Sequence, residues 1–205
     1  RLRTQQIEIL NSIISQGNLA GSLQELLETV LDCMVVPLEF DEAAVFLYDA
    51  ASQCMNLAAT RGVKEELRQK YARMQANVPP FAQVMKGMAV FREKLTEEGP
   101  DKARELGWRM TACLPLTSMG RVIGTVNVAS RRRSSFTPEE RSTLEMIGKE
   151  AGTLVSKLQT EAALRKSEKY YRTLIDTSPD IVAVMDLQAR LLTVNQQFLK
   201  AGGYS

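Results

Sequence analysis

Apolar residues recur at three- and four-residue intervals along the N-terminal stretch. Ile7, Leu10, Ile13 and Ile14 line one side of a helix predicted from about Leu2 to Gln16, with Gly17 and Gly21 bracketing its end. Ser22 starts a second helix, and Glu25 three positions on lets hydroxyl and carboxylate cap orphan amides reciprocally. Leu23, Leu26, Leu27, Val30, Leu31 and Met34 keep the helical spacing until Pro37. The period then drops to two. AAVFLYDAASQCMNLAATR reads as an antiparallel hairpin turning at DAASQ. An irregular stretch follows: a helix over 64–74, a break at Pro79 and Pro80, a helical turn over 81–86, the short run MAVFRE, and a short helix over 100–106 ended by Gly107. RMTACLPLTS and RVIGTVNVAS form a second hairpin across Met119 and Gly120.

Thr137, Pro138 and Glu140 supply the N-cap, first-turn proline and capping-box acid of a long helix. Its seam of Leu144, Ile147, Ala151, Leu154 and Leu158 has the alternating three–four spacing of a coiled coil and predicts a homodimer contact. Apolar residues reappear out of phase at Leu164, Tyr171 and Ile175 before Ser178 and Pro179 close the helix.

Strand alternation assigns faces. Val122, Gly124, Val126 and Val128 share one side of the last strand, and Met110, Ala112, Leu114 and Leu116 one side of its partner; these sets are expected to meet the helices. Thr125, Asn127 and Ala129, with Arg109, Thr111 and Cys113, take the other side, where a few polar groups among apolar walls fit a ligand pocket. Tyr71, Met74, Phe81, Met85, Phe91 and Trp108 are candidate walls, though aromatics and methionines in such a segment are more often plain core. Arg109 either meets an anionic ligand or caps a strand edge.

Composition narrows the chemistry. Of 205 residues, 44% are apolar, enough for a packed core, and 26 basic against 24 acidic residues leave no field that predicts nucleic-acid or membrane binding. The run Arg131–Arg133, flanked by serines, reads as a solvated loop. Three scattered cysteines, Cys33, Cys54 and Cys113, argue against a secreted disulfide framework and for a reducing cytoplasm. There is no histidine, which removes Ser/His and Cys/His catalysis, histidine-ligated zinc or haem, and a phospho-accepting histidine.

SLQELLETVLDCMVVPL with EFDEAAVFLYD, GWRMTACLPLTSMGRVIGTVNVAS, and FTPEERSTLEMIGKEAG together resemble a GAF domain across roughly Leu10 to Gln159. LRKSEKYYRTLIDTSPDIVAVMDLQARLLTVNQQFLKAGGYS resembles the opening of a PAS domain, with strands ending at Asp186 and Asn195. The resemblance implies an α+β fold: an antiparallel sheet of about six strands with terminal helices on one face and a small-molecule pocket on the other. It divides the chain into a GAF-like sensory domain (1–160), a helical linker (161–179) and an incomplete PAS-like β-β-α start (180–205), whose exposed strands are expected to pair with another surface or pack on the linker. The ligand set it implies is Tyr71, Met74, Phe81, Met85, Trp108, Arg109, Thr111, Cys113, Thr125 and Asn127, with no metal and no catalytic residue.

Known GAF ligands are disfavoured in turn. Cyclic-nucleotide binders carry an acidic pair after a phenylalanine; here Phe136 is followed by Glu140-Arg141, and Ser130-Arg131 stands near their Asn-Lys position. Covalent bilin and haem want a histidine. The implied function is a sensory module of a two-component sensor histidine kinase, dimeric through its terminal helices and coiled-coil linker, with the phosphorelay chemistry in a domain beyond this chain. The alternatives are a ligand-free dimerisation module of a diguanylate cyclase or transcriptional regulator, and a GAF-type methionine sulfoxide reductase, for which no attacking and resolving cysteine pair is evident.

Overall fold

A computed structural model describes residues 2–95, 103 and 105–203, excepting the side chains of 2–7, 9 and 10. The Ile7 and Leu10 part of the first stripe, most of the helix expected over 100–106, and Tyr204 and Ser205 lie outside the described residues. The chain divides into two compact units, Arg1–Leu158 and Gln159–Ser205.

In the first unit, helix α1 (Leu2–Leu19) runs past Gly17 instead of ending there. A Cβ on Gly17 would lie 2.7 Å from Leu154 and 2.9 Å from Leu26, so glycine here makes room for packing between helices. Helix α2 (Leu23–Val35) is capped by Ser22, whose Oγ accepts the Glu25 amide at 3.2 Å. The Glu25 carboxylate reaches one residue further back than a regular capping box and accepts the Gly21 amide at 2.9 Å.

Six strands form one antiparallel sheet in the order β3-β2-β1-β6-β5-β4, from β1 (Glu42–Asp49), β2 (Cys54–Arg61), β3 (Arg73–Gln75), β4 (Val90–Arg92), β5 (Met110–Ser118) and β6 (Arg121–Ser130). The hairpin between β5 and β6 turns at Met119 and Gly120, both at positive φ (48° and 74°), the twist that matches two right-handed strands. The helix expected over 64–74 is shorter: α3 covers Glu65–Lys70, and Arg73–Gln75 leaves it to become the edge strand beside β2. Helix α4 (Phe81–Val84) is the turn expected after the prolines.

The main core lies between one sheet face and the helices. Leu26, Val30, Leu31 and Met34 of α2 and Ile13 of α1 pack with Val45, Met110, Ala112, Leu114, Leu116, Val126 and Val128. The long helix α5 (Pro138–Thr177) starts on the capping box expected for it: Thr137 Oγ1 accepts the Glu140 amide at 3.1 Å and Glu140 accepts the Thr137 amide at 2.8 Å. Its Leu144, Ile147, Ala151 and Leu154 are buried in this core, and Leu158 packs against it. The expected dimer seam is therefore corrected to an intramolecular contact. Over two heptads a 3.5-residue seam drifts only some 40° from the stripe of a straight helix, so spacing alone cannot say which surface it meets. Gly148 and Gly152 bring α5 onto β5 itself: a Cβ on either would stand 2.7 Å from Pro115 O or 2.4 Å from Thr117 N.

The arginine run is a junction and not a solvated loop. Arg131 pairs with buried Glu42, Arg132 with Asp41, and Arg133 with Glu140, while Arg131 and Arg133 also donate to the Leu106 and Leu38 carbonyls at 3.0 Å. The end of β6, the start of β1 and the start of α5 are thereby tied at one corner.

In the second unit, β7 (Ala183–Met185) pairs antiparallel with β8 (Leu191–Val194), followed by α6 (Gln196–Ala201). Asn195, fully buried, organises it. Its Nδ2 donates to the Ile175 and Asp180 carbonyls at 3.1 and 2.8 Å, and its Oδ1 accepts the Val182 and Phe198 amides at 3.0 and 3.1 Å. Both amide hydrogens and both oxygen lone pairs are thereby used, so one polar residue stands where a core would otherwise fix these segments. Ile181, Met185, Leu187 and Leu192 are exposed.

Candidate functional site

The sheet face turned away from the helices carries a cavity of about 450 Å³. Register explains its lining. In β5 and β6, Thr111, Cys113, Asn127 and Ala129 alternate away from the main core, and across β4–β5 Val90 stands opposite Cys113 and Arg92 opposite Thr111. On β1, Glu42, Ala44 and Phe46 point the same way. β2 contains a bulge: Val45 pairs with Ala59 but Phe46 with Leu57, leaving Ala58 as the extra residue. Leu57 and Thr60, three apart, consequently both face the cavity where unbroken alternation would separate them.

The segment between β2 and β4 roofs this face. Val63, Leu67, Tyr71 and Met74 come from the α3 region, and Pro79, Pro80 and Phe81 from the turn that begins α4. Phe46 and Phe81 pack with ring centroids 5.3 Å apart, and with Met55, Val84 and Cys113 they make a second small core beside the cavity.

One end is closed by polar chemistry. Glu42 is 3% exposed, ion-paired to Arg131, and accepts the Trp108 indole N–H at 3.2 Å. Next to it Asp41 accepts the Arg131 amide at 2.8 Å and the Ser130 hydroxyl at 2.9 Å. Burial opposes ionisation of Asp41, but these bonds and the charges of Arg132 and Arg131 outweigh it and hold the carboxyl below the usual aspartate range. On the floor, burial pushes the Cys113 thiol up to about 12, partly offset by the Thr125 hydroxyl and the charge of Arg92. Asn127 Oδ1 is buried with no hydrogen-bond partner among the described residues. Nor has Thr125 Oγ1 a partner within normal hydrogen-bond geometry.

Of the residues expected around a ligand, Tyr71, Met74, Phe81, Trp108, Thr111, Cys113 and Asn127 line the cavity. Met85 does not; it borders a separate groove with Lys86, Thr117 and Arg121. Arg109 is exposed, its guanidinium 3.4 Å from the Arg132 carbonyl and its amide donating to Ser130 O, so it holds the strand edge. Thr125 points to the cavity side but lies beneath Phe46, its cross-strand partner. Phe91 belongs to the opposite face, 5.1 Å from the Phe136 ring and under the Arg141 guanidinium at 4.7 Å. Glu42 and Arg92, the acidic and the basic residue among the described lining residues, are absent from the expected set. Arg92 carried no signal in the sequence, since the two apolar residues before it in β4 leave its face open.

Among the described residues no group of three or more His, Cys, Asp or Glu side chains could hold a metal ion, and no helix is long and apolar enough to cross a membrane. Cys33, on α2, and Cys54, whose thiol faces the Ser52 carbonyl at 3.3 Å, lie outside the cavity lining.

The family model described as GAF domain matches residues 20–156, and that described as PAS domain matches residues 169–205. No curated protein matches the chain. Among solved structures, the chain is similar to the GAF domain of a phosphoenolpyruvate-protein phosphotransferase from Coxiella burnetii, with TM-score 0.68, 18% identity, and 78% of this chain and 98% of that one covered. It is similar to a domain of a putative two-component sensor histidine kinase from Sinorhizobium meliloti (TM-score 0.59, 22% identity, coverage 71% and 99%). A third similarity is to free methionine-R-sulfoxide reductase from Neisseria meningitidis (TM-score 0.65, 18% identity, coverage 76% and 91%).

Proposed function

We propose, because this chain belongs to the GAF domain family through residues 20–156, that it is a sensory module whose cavity holds a small molecule and whose long helix reports occupancy. The observation that carries this reading is Asn127, a lining residue of a cavity of about 450 Å³ whose buried Oδ1 has no partner among the described residues. An unsatisfied buried polar atom costs about 1–3 kcal/mol, which a bound donor would recover.

The route to an output is one strand thick. β5 turns Thr111 and Cys113 to the cavity, and the same strand bears α5 on its other face through Gly148 and Gly152. A ligand that favours one position of β5 favours one seating of α5. We assign the parent to the sensor histidine kinases of two-component systems, acting in the cytoplasm. The likeness to a sensor-kinase domain and the PAS match after the GAF region support that assignment.

Exposed Leu164, Tyr171 and Leu174 favour a second role for α5, as the contact of a homodimer. Their spacings of seven and three keep them on one side of the helix, where they replace the buried residues as the surface stripe. Reductase chemistry is not extended to this chain. Cys113 is the one cysteine on the cavity lining, and a thiol at about 12 supplies almost no thiolate near neutrality.

Native mass spectrometry of freshly purified protein tests the sensory reading, followed by hydrogen exchange over 143–158 with and without the adduct removed. A retained small molecule whose removal raises exchange in this helix is expected. No adduct, and no metabolite that alters helix exchange, would sink it.

A further inference from the structure

We infer that the cavity takes a small aromatic monocarboxylate bearing one N–H or O–H group. The inference rests on the reading of the cavity as a ligand site and adds the chemistry of its occupant.

Three features of the lining converge. The first is charge. Glu42 and Arg92 are the acidic and the basic side chain among the described lining residues, and Glu42 is already satisfied by Arg131 and by the Trp108 indole. Among the described lining residues, with Glu42 paired to Arg131, Arg92 leaves one positive charge, and a planar guanidinium suits a carboxylate. Its influence reaches the floor, where it lowers the cost of ionising Cys113.

The second feature is the orphan acceptor. Asn127 stands beside Cys113 in the β5–β6 ladder, and Cys113 stands beside Val90, two residues before Arg92 on β4. The acceptor and the guanidinium thus lie on one face, two strands and one pleat apart. A spacing of about 4.8 Å between strands puts roughly 10 Å between them laterally. A single ring with an acidic arm spans that distance with a donor at the far end. Among the described lining residues a second charge has no counterpart.

The third is the apolar wall. Tyr71, Phe81 and Trp108 with Leu57 and Met74 offer flat, polarisable surfaces, which suit an aromatic body better than a flexible chain. The cavity volume fits an occupant of drug-fragment size.

Calorimetric titration of the full chain with two probe sets tests this. The first set is indole-3-acetate, 1-methylindole-3-acetate and indole-3-acetamide; the second is 4-hydroxybenzoate, 4-methoxybenzoate and 4-hydroxybenzamide. At least one parent acid is expected to bind about tenfold more tightly than both its methylated and its amide analogue. Arg92→Gln should bring the acid down to the level of the amide, with Arg92→Lys retaining part of the preference. Asn127→Ala should erase the gap between the acid and its methylated form, and melting curves of all variants establish that they fold.

An amide that binds as well as its acid, or an acid indifferent to Arg92→Gln, overturns the inference and leaves the ligand site standing. A neutral or cationic adduct in native mass spectrometry does the same. If none of the six probes binds and the purified protein carries no adduct, the inference falls together with the reading beneath it.

Discussion

The indole nitrogen of Trp108 donates at 3.2 Å to Glu42, 66 positions away in the sequence, and the same carboxylate neutralises Arg131. One buried acid therefore closes the cavity end and anchors the corner where β1 meets β6. Removing Arg131 with Arg131→Met strands a carboxylate that is only 3% exposed, and a loss of about 3 kcal/mol or more is expected. Glu42→Gln keeps an acceptor for the indole and leaves a cation that is partly solvated, so its loss should be smaller. Urea denaturation of the two variants compares them; the reverse order would show that Glu42 is not the constrained partner.

Trp108 is the sole tryptophan and lies on the cavity wall. Its emission should shift when a non-absorbing occupant enters or leaves, and Trp108→Phe should abolish that signal while retaining the fold. An occupant seen by calorimetry without any change in emission would place it elsewhere.

Leu154 is buried beside Gly17 and Leu26, so Leu154→Glu should cost more than about 3 kcal/mol and unfold the first unit. Tyr171→Glu and Leu174→Glu, on exposed positions, should leave the melting temperature nearly unchanged. Circular dichroism separates the two classes, and sedimentation then shows whether the second pair reduces self-association. A folded, merely dissociated Leu154→Glu protein would restore the surface-seam interpretation of this stripe.

Gly152→Ala places a methyl 2.4 Å from the Thr117 backbone and is expected to destabilise by about 1–3 kcal/mol, because neither backbone can yield. Gly120→Ala, where a Cβ meets nothing within 4 Å, should cost only its backbone strain at φ 74°. Thermal melts of the pair measure the contact between helix and strand directly.

Two carboxyls link stability to acid. Asp41 is held below its ordinary range as described, and the Phe136 amide, bonded at 2.7 Å, together with Arg141, does the same for Glu93 against the opposing effect of burial. A depressed folded pKa gives stability that is present above the unfolded value, near 4, and is lost as pH falls through the folded one. Urea midpoints should thus fall below about pH 4, and less steeply in Asp41→Asn. Cys113 acts at the other end. Its folded thiol is raised to about 12, so stability is complete below the unfolded value near 9 and declines as pH climbs between the two. Midpoints in Cys113→Ser should decline less over that alkaline window.

The regular parts of this fold were legible because their residues obey a period. Both long hairpins, the hydroxyl caps of α2 and α5, and the faces of β5 from Met110 to Leu116 and of β6 from Gly124 to Val128 follow from alternation and from hydroxyl–carboxylate spacing, whereas the register shift after Leu116 sends Ile123 and not Val122 to the main core. What escaped obeys no period. Arg73–Gln75 is too short and too polar to announce an edge strand, and Val90–Phe91 offers two apolar neighbours with nothing to say which faces the cavity. The arginine run looked solvated because its partners, Asp41, Glu42 and Glu140, are brought to it only by the closed sheet and the start of α5. The seam was visible as a stripe, but the glycines that let it sink onto β5 carried the deciding information.

The extra residue in β2 has a consequence for how such a cavity can change. With Ala58 removed, Leu57, Ala59 and Thr60 would alternate without interruption opposite Phe46, Val45 and Ala44, and the same side chains would still face the cavity. The wall would lose its kink while keeping its chemistry. Chain length at one position is therefore a control on the shape of the binding space, independent of which amino acids line it, and a deletion there could retune selectivity where substitutions would rewrite it.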